Sequence, residues 1–183
     1  MKKIFTTLLA LGLALTAFAQ HGSSELEIGG TLNYFLGKQV NNVSYNRPMR
    51  PGILIEYRYN IGDHLDLGVQ LSSTFGQGKI AGTGYTDKAW FLQVAPLAVA
   101  DFNLLPESGF NPFIGVGVGP GFGYTSNKIT KIASWSTSLV VAPRVGVELF
   151  EHLRVSVQYN WYMKEGNRFS NLALGVSWAF LDD

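Results

Sequence analysis

From Glu25 onward, apolar residues recur at every second position in one stretch after another, which is the period of a β-strand with one apolar face. The first stretch sets Leu26, Ile28, Leu32 and Tyr34 against Glu27, Thr31 and Asn33. The second sets Ile53, Ile55, Tyr57 and Tyr59 against Glu56, Arg58 and Asn60. In the third, Leu65, Leu67, Val69, Leu71 and Phe75 oppose Asp66, Gln70, Ser72 and Thr74; in the fourth, Trp90, Leu92, Val94, Ala98 and Phe102 oppose Gln93 and Asp101. The fifth alternates Ile114, Val116, Val118 and Phe122 with the glycines Gly115, Gly117, Gly119, Gly121 and Gly123. The sixth sets Trp135, Leu139, Val141, Val145 and Val147 against Ser136, Ser138, Arg144 and Glu148. The seventh sets Leu153, Val155, Val157, Tyr159 and Trp161 against Arg154, Ser156, Gln158 and Asn160, and the last sets Leu172, Leu174, Val176, Trp178 and Phe180 against Asn171, Ala173, Gly175 and Ser177. Eight antiparallel strands of this kind, an even number, close into an up-and-down β-barrel with both termini on one side. Each stretch is about ten residues long or slightly more, the length of a tilted membrane strand.

The charges decide which face is outside. None falls on the large-apolar face, whereas Glu27, Glu56, Arg58, Asp66, Asp101, Arg144, Glu148 and Arg154 all fall on the other. A cation on the lipid side at mid-membrane costs about 2–4 kcal/mol. The pattern therefore predicts a transmembrane barrel, apolar toward lipid, with these acids and arginines as a mutually compensating interior. A barrel of this size has a lumen filled by side chains, so the expected arrangement is a hydrogen-bonded plug; a proton or small-solute path is the alternative. A soluble lipocalin-like barrel would be apolar inside and heavily charged outside. Here the second face is mostly Gly, Ser, Asn, Gln and Ala with a few charges of both signs. Trp90, Trp135 and Trp161 fall near strand ends on one side, and Trp178 with Phe180, Tyr59 and Phe102 near the other, as two interfacial girdles would. Pro96, Pro120 and Pro143 fall inside strands, where they cannot donate to a ladder, and are expected to mark bulges.

The N-terminus supports export. Lys2 and Lys3 precede an apolar run from Ile4 to about Ala17, and Ala17-Phe18-Ala19 is a small-x-small cleavage pattern. Residues 1–19 are thus expected to be a cleaved signal peptide and residues 20–183 the barrel domain. With no cysteine, there is no lipoprotein anchor and no disulfide framework. Only 15% of residues are charged, against about a quarter in soluble domains.

With this topology, residues 36–50, 76–88, 125–134 and 163–168 face outside the cell, and residues 61–64, 103–111 and 150–152 face the periplasm. The outer loops and their borders carry Lys38, Arg47, Arg50, Lys79, Lys88, Lys128, Lys131, Lys164 and Arg168 against only Asp87 and Glu165. Arg47, Arg50, Lys79, Lys128, Lys131 and Arg168 are the candidate anion- or lipopolysaccharide-binding rim. The periplasmic side carries Asp63, Glu107, Glu151, Asp182 and Asp183 and no Lys or Arg. Gly62-Asp63-His64-Leu65 and Phe150-Glu151-His152-Leu153 resemble each other, from half-barrel duplication or from convergence on one turn design.

The turn Asn60-Ile61-Gly62-Asp63-His64-Leu65-Asp66-Leu67-Gly68, the stretch Phe91-Leu92-Gln93-Val94-Ala95-Pro96-Leu97, and Asn111-Pro112-Phe113-Ile114-Gly115-Val116-Gly117 resemble the outer-membrane β-barrel (porin-like) family, the OmpX/OmpA-type small barrels. The resemblance covers everything after the signal peptide and is more specific for fold than for function. It implies residence in the cell outer membrane, reached through the periplasm, and insertion by the outer-membrane assembly machinery. That machinery reads a C-terminal strand ending in an aromatic. Phe180 fits, but Leu181, Asp182 and Asp183 follow it. A peptidoglycan-tethering domain after the barrel is not expected.

Catalytic signals are weak. The glycine row lacks the spacing of a nucleotide loop, with Pro120, Phe122 and Tyr124 where G-x-G-x-x-G needs glycine, and there is no Gly-Lys-Ser/Thr. Its glycines instead make room for inward groups such as Arg144, Arg154 or Tyr162. His64 and His152 sit at turns, with no nucleophile or metal ligand beside them and no His-x-Ser arrangement like that of outer-membrane lipid A deacylases. The reading is a non-enzymatic, monomeric barrel with no cofactor and no nucleic-acid partner. It would stabilise the envelope and contact membrane lipids, lipopolysaccharide or an external ligand through its basic loops. A narrow pore and, further off, a lipid-modifying enzyme remain the alternatives.

Overall fold

The computed structural model describes residues 24–36, 39–40, 43–44, 49–80, 88–127, 133–163 and 170–182, so the expected signal peptide lies outside the described residues. Eight long strands form the wall: β1 Ser24–Phe35, β2 Met49–Gly62, β3 Leu65–Ile80, β4 Lys88–Asn103, β5 Phe110–Asn127, β6 Ala133–Leu149, β7 Leu153–Tyr162 and β8 Asn171–Asp182. Each pairs antiparallel with the next, and β8 pairs back onto β1 with Ile28 opposite Trp178, closing the sheet. Closure leaves no unpaired edge, the condition for a sheet to cross lipid.

The alternation read from sequence is the wall itself. In β8, Asn171, Ala173, Gly175, Ser177 and Ala179 are buried in the lumen, while Leu172, Leu174, Val176, Trp178 and Phe180 are exposed. Thirty-three large hydrophobic residues are exposed on the described surface, an inversion of the soluble pattern that makes sense only against acyl chains.

Several details differ from the sequence reading. Strands run from 10 residues in β7 to 18 in β5, so the outer connections are shorter than expected: Met49 and Arg50 belong to β2, and Gly76 to Ile80 belong to β3. Within the first outer connection, Gln39–Val40 pairs with Val43–Ser44, which pairs in turn with the end of β3. The in-strand prolines do not mark bulges. Val94 pairs with Phe122 and Ala98 with Val118, so the register is unchanged across Pro96, which lies opposite Pro120. Val141 pairs with Trp161 and Arg144 with Gln158, again without a shift across Pro143. Two prolines facing each other remove both ladder donors at one pair, so the ladder is interrupted without inserting a residue. The register shift in the described ladders is instead between Asn60 and Gly62. Next to it Tyr59, expected among the lipid-facing aromatics, is buried, although its neighbours Arg58 and Asn60 both reach Glu25 in the lumen.

Candidate functional site

The lumen toward the periplasmic end is a layer of ion pairs. Arg144, projecting from β6, is held by two carboxylates. Its Nη1 and Nη2 donate to the two oxygens of Glu56 at 2.6 and 2.7 Å, and its Nε and Nη2 donate to Asp101 at 2.7 and 2.6 Å. Such a fork-to-fork arrangement is the strongest form of protein ion pair. Arg154, from β7, reaches Asp101 at 2.7 Å and Glu27 at 3.3 Å, and its guanidinium carbon lies 3.6 Å from the centroid of the Phe113 ring on β5. Arg58, from β2, reaches Glu25 at 2.6 Å, Glu148 at 3.4 Å and Asp66 at 3.5 Å. Ser177 on β8 donates to Glu27. Every strand of the barrel therefore contributes a side chain to one connected layer.

The eight inward charges expected from the sequence all meet in this layer. A ninth, Glu25, was missing from the expected set, although it shares its parity with Glu27, which is the signal that would have found it. Its inclusion makes six carboxylates around three guanidiniums. Neutral donors meet the surplus: Asn60 donates to Glu25 at 3.2 Å, Asn103 to Asp66 at 2.8 Å and Gln70 to Glu56 at 3.0 Å. An amide chain continues from Gln70 through Gln158 and Asn160 to Asn171 at 2.7–3.1 Å. Beside it lies a cavity of about 10 Å³, lined among others by Thr31, Asn33, Ser72 and Gln158, with room for a single water.

The outer half of the lumen has a different chemistry, supplied by β1, β4, β6 and β7. Phe35, Phe91, Ala95, Leu97, Val99, Val140, Ala142 and Tyr162 form a buried apolar cluster. The second face was expected to be small and polar, and this cluster is where it is not. The glycine row of β5, between β4 and β6, supplies the space. A side chain on Gly121 would meet Tyr162 and Val140, one on Gly117 would meet Leu97 and Val99, and one on Gly115 would meet Asp101. Of the three groups expected over the glycines, Tyr162 is there; Arg144 and Arg154 are served indirectly, through Asp101.

Of the basic rim, Arg50 is described. Its Nη1 donates to the Met49 carbonyl at 3.2 Å and its Nη2 to the Gln77 carbonyl at 2.5 Å, with its stem over Gly76. Lys79 belongs to β3, while Arg47, Lys128, Lys131 and Arg168 lie outside the described residues. His64 Nδ1 donates to the Asn103 carbonyl at 2.8 Å and its ring stacks on Phe102, and His152 packs against Trp178. Among the described residues no group of three or more His, Cys, Asp and Glu side chains is placed to hold a metal ion.

Three solved structures share this architecture. OprG of Pseudomonas aeruginosa aligns over 87% of this chain and 96% of its own, with a TM-score of 0.65 at 13% identity. Neisserial surface protein A aligns over 85% and 95%, with a TM-score of 0.61 at 13% identity. Ail, the attachment invasion locus protein of Yersinia pestis, solved in complex with the heparin analogue sucrose octasulfate, aligns over 87% and 99%, with a TM-score of 0.57 at 14% identity. At these identities the likeness is one of fold. No curated protein matches the sequence. Residues 5–180 match the outer membrane protein beta-barrel domain family. A closed eight-stranded wall, apolar outside and ion-paired within, and a family match over nearly the whole chain lead to one conclusion: this protein belongs to the outer membrane protein beta-barrel domain family and resides in the cell outer membrane.

Proposed function

We propose that this protein is a non-enzymatic, closed barrel that stabilises the envelope and presents basic outer loops to anionic groups, with lipopolysaccharide phosphates as their first neighbours. The observation that carries this reading is the ion-paired layer. Arg58, Arg144 and Arg154 join carboxylates from opposite sides of the wall at 2.6–3.7 Å, which leaves a plug where a pore would need a path. A plugged barrel works through its surfaces. Arg47, Arg50, Lys79, Lys128, Lys131 and Arg168 attract anions over about one Debye length, roughly 8 Å at physiological salt. The sulfated sugar bound by Ail is a polyanion of the kind such a rim would take. The chain would act as a monomer, inserted by the outer-membrane assembly machinery after loss of residues 1–19.

Purified barrel in planar bilayers is expected to pass no sustained current; an open-channel current would overturn the plug. Neutralising Arg47, Arg50, Lys128 and Lys131 together is expected to lower the lipopolysaccharide that copurifies from outer-membrane fractions. An unchanged yield of bound lipid would overturn the rim.

A further inference from the structure

The lipid-facing belt is not equally tall around the barrel. On β7 the outward row runs from Leu153 to Trp161, and on β8 from Leu172 to Phe180. Eight residue steps along a strand tilted by about 40° rise roughly 21 Å. On β5 the row runs from Phe110 to Phe122. Those twelve steps rise roughly 31 Å, more than the apolar band of about 25 Å usual for such barrels. At the periplasmic end of this taller side the apolar surface also passes beyond the ladder. Leu104 and Leu105 are each just over half exposed and Phe150 is 77% exposed, beside Phe110 at the first pair of β5.

This end is built, not loose. The Leu104 amide donates to the Pro112 carbonyl at 2.9 Å, and the Leu105 amide to Asn111 Oδ1 at 3.2 Å. The Phe150 amide donates to the Gly109 carbonyl at 2.9 Å, which ties the β6–β7 turn to the long β4–β5 connection. Phe150 and Glu151 have φ of 54° and 63°, the non-glycine residues of the described chain in the left-handed region. A hairpin turn of that shape favours Asn-Gly; here it displays an aromatic ring. An open hollow of about 360 Å³ lies between Asp63 and His64 on one side and residues 104–108 on the other. The described connections 61–64, 104–109 and 150–152 carry Asp63, Glu107 and Glu151 and no Lys or Arg.

We propose that this end of β4–β6 is a membrane foot. Leu104, Leu105, Phe110 and Phe150 sit among acyl chains of the inner leaflet, and Asp63, Glu107 and Glu151 accept hydrogen bonds from the ammonium of an ethanolamine-type phospholipid. Lipid is the occupant because Leu104 prolongs the outward row of β4 and Phe110 begins that of β5, so the patch is continuous with the belt. The headgroup follows from charge: three carboxylates with no Lys or Arg fit an ammonium and repel a purely anionic headgroup. The foot lies at the opposite end of the barrel from the basic rim and is independent of what the rim binds.

The absence of cysteine makes a single label unique. Leu105→Cys and, separately, Phe150→Cys in the barrel would carry a nitroxide, in nanodiscs of phosphatidylethanolamine with phosphatidylglycerol and of phosphatidylglycerol alone. The expected result is a shift at both sites from collision with a water-soluble nickel chelate to collision with oxygen, larger in the ethanolamine discs. Nickel access at both sites in both lipids would overturn the foot. Equal immersion in the two lipids, or a lipid difference that survives Asp63→Asn, Glu107→Gln and Glu151→Gln together, would overturn the headgroup assignment. Leu105 lies outside the left-handed turn, so its label reports even if the Phe150 variant disturbs that turn.

Discussion

The lumen holds two chemistries a few residues apart. Toward the periplasm, three guanidiniums and six carboxylates tie strands together by directional, charged hydrogen bonds. Toward the outside, buried aromatic and aliphatic side chains of β1, β4, β6 and β7 fill the same cylinder by shape alone. The first region fails by stranding charge, the second by leaving a void. In the ionic layer each group has several partners, so a single loss propagates; in the apolar cluster a loss is local. A barrel can be sealed either way, and this one uses ions where side chains must span the full width of the lumen.

The largest effect is expected at Arg144, because Glu56 and Asp101 both depend on it. Removing one partner of a buried pair costs about 3–5 kcal/mol through the charges left behind. Arg144→Ala should lower the unfolding free energy of the vesicle-reconstituted barrel in urea by that amount. Adding Glu56→Gln and Asp101→Asn should recover part of it. No recovery would mean that the arginine stem, and not the stranded charge, carried the effect, and the contrast between the two regions would blur.

Leu97→Ala tests the apolar side. Leu97 lies against Gly117 of the neighbouring strand, where a Cβ would stand 3.2 Å from its Cδ1, so that strand offers no side chain to fill the void. The expected loss is about 2–3 kcal/mol, untouched by Glu56→Gln. Gly117→Ala in the same chain should return part of it. A loss that instead tracks the charge state of the ionic layer would show the two regions to be one.

How much of this was legible in sequence follows from the same contrast. The wall was legible because alternation is strict in β8 and most of β1, and inward charge was legible because the charged positions alternate with the exposed apolar rows of their strands. Glu25 escaped only because the first stretch was read from Leu26. The apolar cluster was not legible: β4 carries Trp90, Leu92 and Val94 on one face and Phe91, Ala95 and Leu97 on the other, so its period disappears. The prolines were visible, but that Pro96 meets Pro120 is a matter of long-range register. The rim residues Arg47, Lys128, Lys131 and Arg168 were named from charge alone and lie outside the described residues.

The smallest effect is the sharpest test, because it reverses sign between the regions. Gln70 and Gln93 are both fully buried in the lumen. Gln70 donates to Glu56 at 3.0 Å and accepts from Gln158 at 3.1 Å. Gln93 lies between Phe91 and Ala95 along β4, and neither atom of its carboxamide has a hydrogen-bond partner among the described residues. A buried polar group without a partner costs about 1–3 kcal/mol, whereas removing a partnered one leaves its neighbours stranded. Methionine keeps the volume and drops the amide. Gln70→Met should therefore destabilise the barrel by about 1–2 kcal/mol and Gln93→Met should stabilise it by about 1 kcal/mol, read from the same urea curves. If both variants lose stability equally, Gln93 is part of the polar network and the boundary between the two chemistries lies closer to the outer rim.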